Sequence, residues 1–94
     1  MDLQLIEQFK ALVKEVPGFT RVKCSIEVPL NKKNMDEVAT GFFSVNKEND
    51  NSELSVIELT KVAHKIREHF KDHRVAVNMK VTDNKNQHID IGAF

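Results

Sequence analysis

Five titratable side chains crowd one stretch of the chain: His64, Glu68, His69, Asp72 and His73. His69 and His73 stand four residues apart, the spacing at which a helix turns two imidazoles to one side and offers them to a metal ion. His64 and Glu68 share that spacing but point elsewhere on the helical wheel. No third convergent ligand is evident, and the glutamate of an HExxH pattern is missing between His69 and His73. Histidines near a helix C-terminus also interact favourably with its dipole, and His69 flanks an apolar stripe. His69 and His73 are therefore weak metal candidates, and the chain is read as having no metal and no cofactor.

Cys24 would be a nucleophile if His88 or His64 served as its base. Its neighbours Val22 and Ile26 share its face, however, so it reads as an inert thiol inside the core. The glycines Gly18, Gly41 and Gly92 are single and far apart, so there is no phosphate-cradling loop. No serine-centred nucleophile motif occurs, and the carboxylates are dispersed. The expectation is a protein that is not an enzyme.

Charge is balanced in total, with 14 Lys and Arg against 14 Asp and Glu, but not locally. Between 31 and 58, Lys32, Lys33 and Lys47 oppose Asp36, Glu37, Glu48, Asp50, Glu53 and Glu58, a net of −3. Between 59 and 74, Lys61, Lys65, Arg67, Lys71 and Arg74 oppose Glu68 and Asp72, a net of +3. This describes a basic helix behind an acidic loop: a solvated face, or a docking patch for an acidic protein or a phosphate backbone. A zero net charge weighs against broad nucleic-acid or anionic-membrane binding. Six Phe without Trp or Tyr suit a core better than hydrogen-bonded recognition.

The elements that must position these residues follow from periodicity. Ser55 and Glu58 form a capping box, and Leu54 and Leu59 a hydrophobic staple, at the head of a helix predicted over Leu54–His73. Its stripe is Val56, Leu59, Ala63, Ile66 and Phe70. Asp2 caps an earlier helix with a stripe of Leu5, Ile6, Phe9, Leu12, Val13 and Val16, ended by Pro17-Gly18. Thr20–Val28 alternates, with Val22, Cys24, Ile26 and Val28 inward and Arg21, Lys23, Ser25 and Glu27 outward. Pro29–Asp36 reads as a loop.

Glu37–Asn46 is a strand apolar on both faces: Ala39, Gly41, Phe43 and Val45 on one, Val38 and Phe42 beside Thr40 and Ser44 on the other. Lys47–Ser52 is a polar loop. Arg74–Thr82 alternates with Val75, Val77, Met79 and Val81 inward. Turn residues Asp83–Gln87 make a hairpin to His88–Gly92, with Ile89 and Ile91 inward.

The order α-β-β-α-β-β predicts one α+β domain over 1–94. It would have a four-stranded, mostly antiparallel sheet with two helices on one face. A permuted ferredoxin-like plan fits this order. So do two α-β-β units, since Arg21–Val28 is similar in pattern to Arg74–Val81. Ninety-four residues can enclose one thin core.

A single cysteine, no apolar signal-peptide run and no stretch of membrane-spanning length suggest a cytoplasmic protein with no membrane partner. The uncovered sheet face would then carry Arg21, Lys23, Phe42, Asn78, Lys80, His88 and Phe94. Phe42 among cations resembles the way sheets stack single-stranded nucleic acid, but no second aromatic joins it. A homodimer burying Phe42 and Val38 uses the same surface twice.

The sequence thus predicts a non-catalytic interaction or regulatory domain that self-associates through its sheet face. Partner contacts would be Phe42, Val38, Arg21, Lys23 and Lys80, with Lys61, Lys65, Arg67 and Lys71 steering. Single-stranded nucleic-acid binding by the same residues is the alternative.

Overall fold

A computed structural model describes residues 2–31, 34–48, 51–71 and 73–93. Two helices begin where short polar side chains meet free backbone N–H groups. Asp2 accepts the N–H of Gln4 at 2.9 Å and opens α1 (Leu3–Lys14). Ser55 Oγ accepts the N–H of Glu58 at 3.3 Å and opens α2 (Val56–His69). Only half of the predicted capping box is made. The Ser55 N–H donates to the Pro17 carbonyl at 3.4 Å, and the Glu58 carboxylate turns forward to Lys61, 3.2 Å away.

Between and after the helices run β1 (Phe19–Asn31), β2 (Asn34–Asn46), β3 (Ala76–Asp83) and β4 (His88–Ala93). They form one antiparallel sheet in the order β2-β1-β3-β4. The register aligns the apolar positions in rows. Val22 lies between Val45 and Val81, Cys24 between Phe43 and Met79, and Ile26 between Gly41 and Val77. Against these rows pack Ile6, Phe9 and Val13 of α1 and Leu59, Val62, Ala63 and Ile66 of α2, all buried. The fold is α+β with both helices on one face, as the alternation predicts. Among the described residues no helix is long and apolar enough to cross a membrane.

The helix and first strand of the two α-β-β units correspond at an offset of 53 residues, from the cap Asp2 to the cap Ser55, whereas the second strands are offset by 50 or 51, as Ala39 to Ile89 and Gly41 to Gly92. Buried Ile6, Phe9 and Val13 match buried Leu59, Val62 and Ile66; buried Val22, Cys24 and Ile26 match buried Val75, Val77 and Met79. The β1–β3 pairing is consistent with this relation, which passes through the Ser25–Asn78 pair. The sheet therefore has an approximate two-fold arrangement, with one helix-and-hairpin unit on each side.

Four expectations are corrected. The stretch Pro29–Asp36 is not a loop: residues 29–31 and 34–36 extend the two strands. Pro29 is tolerated because β3 pairs β1 only as far as Glu27 and the register slips beyond Pro29, so no ladder on that side needs its missing N–H. The permuted ferredoxin-like plan would move a central strand to the end of the chain, whereas β4 is an edge strand.

The third correction is the end of α2, at His69 instead of His73. Phe70 leaves helical geometry with its ring 6.4 Å from that of Phe9, and only a few residues remain to reach the buried Val75. Finally, Val56 is exposed at the first turn of α2, and Val62 takes its place in the buried stripe. The predicted hairpin is present. The Asp83 carboxylate accepts the N–H groups of Lys85 (2.9 Å) and Gln87 (2.8 Å), and Asn86 adopts φ +63°.

Candidate interaction face

The helices cover one side of the sheet and leave the other bare. Its outward rows follow from the same register. Arg21 lies between Asn46 and Thr82, Lys23 between Ser44 and Lys80, Ser25 between Phe42 and Asn78, and Glu27 between Thr40 and Ala76. Lys80 is paired on its other side with Asp90. Phe42 is 74% exposed and Val38 39%, both on β2. Leu30, near the far end of the β1–β2 hairpin, is 66% exposed.

The face thus divides into an apolar margin along β2 and a cationic corner over β1, β3 and β4. In that corner Arg21, Lys23, Lys80, Thr82, His88 and Asp90 line a hollow of about 400 Å³. Arg21 Nε donates to Asn46 Oδ1 at 2.9 Å, which sets the direction of the guanidinium. The Thr82 hydroxyl and His88 Nδ1 lie 3.2 Å apart. Sequence alternation had placed Arg21, Lys23, Lys80 and His88 on this face. Alternation also pointed Thr82 outward, though not as a contact residue; Asp90 was missed, although its outward parity follows from the same alternation. Phe94, Lys32, Lys33, Asp50 and Asp72 lie outside the described residues.

The two sheet edges differ. β2 is 13 residues long and carries no charge from Val38 to Asn46. β4 has six residues, a register slip opposite Met79–Lys80, the charged Asp90, and Gly92 at φ +121°. Short length, charge and irregularity are the devices that stop an edge strand from pairing with a further strand. β4 has them all, and the charge-free run of β2 has none.

The histidine-rich stretch comes together differently from the expected metal pair. His64, Arg67, Glu68, Lys71 and His73 surround a hollow of about 330 Å³. His69 is not among them. Its ring stacks edge-on against Phe9 at 5.9 Å and Phe70 at 4.9 Å, where α1 meets the end of α2. His73 lies beyond the helix, so the four-residue spacing no longer sets the two imidazoles side by side. Among the described residues no three His, Cys, Asp or Glu gather as a metal site would need.

Lys61, Lys65 and Arg67 are exposed along α2, and Lys71 is exposed just past its end. Lys61 is partly answered by Glu58.

Cys24 is buried at 3% exposure, and burial pushes its thiol up to about 12. His88 stands on the opposite face of the sheet and His64 on the exposed side of α2, so neither is its base. Lys47 lies at the start of the polar loop, as expected, and from there joins the end of α1 to β1. Its ammonium donates to the Val16 carbonyl, its N–H donates to Thr20 at 2.9 Å, and it sits 4.1 Å over the Phe19 ring. A lysine beside apolar positions carries no sequence signal for that contact.

Comparison with protein-family models, with curated proteins and with solved structures returns no match for this chain.

Proposed function

We propose that this chain is a non-catalytic interaction domain that self-associates along the β2 side of its sheet. One observation carries the reading: a 13-residue edge strand with an uncharged run and a protruding phenyl ring. Strands of that kind pair with another strand when one is offered. A second copy turned by a two-fold offers the same strand antiparallel, joining two four-stranded sheets. Phe42 and Val38 then meet their counterparts across the joint. Stacking the open faces directly is less favourable, because it brings Arg21, Lys23 and Lys80 towards a second set of cations.

The basic side of α2, with Lys61, Lys65, Arg67 and Lys71, stays outward in the other layer. There it steers the approach of an acidic protein partner. Single-stranded nucleic-acid binding has weaker support. Phe9, Phe19 and Phe43 are buried and Phe70 is half-buried, which leaves Phe42 as the exposed ring on the sheet among the described residues. One stacking platform is a poor strand-binding surface.

Light scattering at low and high salt tests the reading. A dimer insensitive to salt supports it. A monomer that gains mass only with a single-stranded oligonucleotide at low salt replaces it with the nucleic-acid alternative.

A further inference from the structure

Lys23 and Lys80 are direct partners across the β1–β3 ladder, with Arg21 the next outward residue on β1. Like charges placed directly opposite one another on a sheet destabilise it. The fold does not require this pairing. The 53-residue offset carries Lys23 to Ala76 and Lys80 to Glu27, and those two also pair directly. The equivalent position at the other end of the same two strands is thus filled without repulsion.

Two irregularities bracket the cations. The β1–β3 register slips between Phe19 and Arg21, and the β3–β4 register slips between Met79 and Lys80. Such slips raise the local twist and re-aim side chains. Here they flank the 400 Å³ hollow, a volume in the range of small-molecule sites. Its one carboxylate, Asp90, offsets one of the three cations Arg21, Lys23 and Lys80 and leaves a net charge of +2, while its Oδ1 accepts the N–H of Gly92 at 2.9 Å. Among the described residues neither Lys23 nor Lys80 has an ion pair. Arg21 is held through Nε by Asn46, which directs its guanidinium, and Thr82 and His88 add polar groups at the rim.

We propose that this hollow binds a small, multiply charged oxyanion, a phosphate group carried on a small molecule. Arg21, Lys23 and Lys80 would contact its oxygens, with Thr82 and His88 as hydrogen-bonding partners. A dianion between two facing ammonium groups turns their repulsion into a shared attraction, and charge-assisted contacts of this kind are the strong ones. Pairing through the β2 edge leaves this corner uncovered, so the site does not depend on the oligomeric state.

The test is a backbone-amide NMR titration of the full chain with inorganic phosphate and with pyrophosphate, ionic strength being held constant with chloride. Saturable shifts centred on Lys23, Lys80, Thr82 and His88 are expected, tighter for pyrophosphate. They should weaken about tenfold or more in Lys80→Ser and in Lys23→Ser. Both lysines are exposed, and an unchanged spectrum elsewhere verifies the fold of each variant.

Shifts that grow linearly and are reproduced by chloride overturn the proposal, as do shifts that survive the double variant. A single-stranded oligonucleotide arm separates the other source of phosphate. Tighter binding there, spread across the face to Phe42, overturns the small-molecule site in favour of a nucleic-acid strand.

Discussion

Phe42→Glu separates self-association from folding. The ring is 74% exposed in the single chain, so its removal leaves no cavity. The cost to the folded monomer is limited to strand propensity, about 1 kcal/mol or less. For a chain of this length that lowers the melting temperature by no more than about 8 °C. In an edge-paired two-fold dimer the two rings cover each other across the joint, so each is about half buried. At about 0.8–1.5 kcal/mol per ring the variant loses about 1.5–3 kcal/mol of association free energy, before any cost of bringing carboxylates together.

That corresponds to roughly one to two orders of magnitude in the dimer dissociation constant. Sedimentation across a dilution series, with circular dichroism on the same samples, reads both quantities. Thr40→Lys supplies a second variant, placing on the β2 edge the charge that natural edge strands use to refuse a partner. A wild-type chain that stays monomeric at high concentration refutes the reasoning. So does a dimer whose dissociation constant is unmoved by both variants.

Three further outcomes follow from the fold. Gly18 has φ +93°, and a Cβ there would lie 2.2 Å from Leu54 Cα, so Gly18→Ala forces the loop before α2 away from Pro17. We expect a loss of about 3 kcal/mol or more, from the strained backbone, the broken Pro17–Ser55 hydrogen bond and the displaced cap, read as a drop of over about 10 °C in thermal unfolding. Ser55→Ala is expected to cost about 1 kcal/mol in urea unfolding and Glu58→Ala a few tenths, because only the serine arm of the capping box is made; equal costs would contradict this. For Cys24 the folded thiol pKa of about 12 lies above the unfolded 9.0, so its contribution is fully present below pH 9 and is lost as pH rises towards 12, by about 1.4 kcal/mol per pH unit. The difference between wild type and Cys24→Ala in unfolding free energy should follow that slope, and alkylation of the native thiol at pH 8 should proceed only as fast as the chain opens.

Most of the fold was legible because each element carries its own signal. The caps Asp2 and Ser55, the period-two runs around Cys24 and Val77, and the turn at Asp83 are local patterns that tertiary contacts reinforce. What was misread depended on partners distant in sequence. Pro29 reads as a strand breaker until β3 is seen to end opposite Glu27, and the last turn of α2 reads as helix until Phe70 is seen against Phe9. The 53-residue correspondence was legible in the strands, where Arg21–Val28 matches Arg74–Val81, but a hydrophobic match such as Val13 with Ile66 is too generic to extend it to the helices.

The site was legible in parity and illegible in register. Alternation alone assigns Arg21, Lys23, Lys80 and Phe42 to one face. It cannot say that Lys23 faces Lys80 directly, whereas the next outward residue of β1 lies between Phe42 and Asn78. A shift of two residues would preserve every inward side chain while separating the two ammonium groups.

The register is held elsewhere, by the inward rows through Val22, Cys24 and Ile26 and by the flanking slips. The cationic corner is therefore imposed on the open face by packing on the other side, and the sheet bears its repulsion. The contrast with the Ala76–Glu27 pair shows that these two strands can accommodate an uncharged partner at the equivalent position. A corner that keeps like charges together where the scaffold offers an easy alternative is better explained by an anion that it meets than by the needs of the fold.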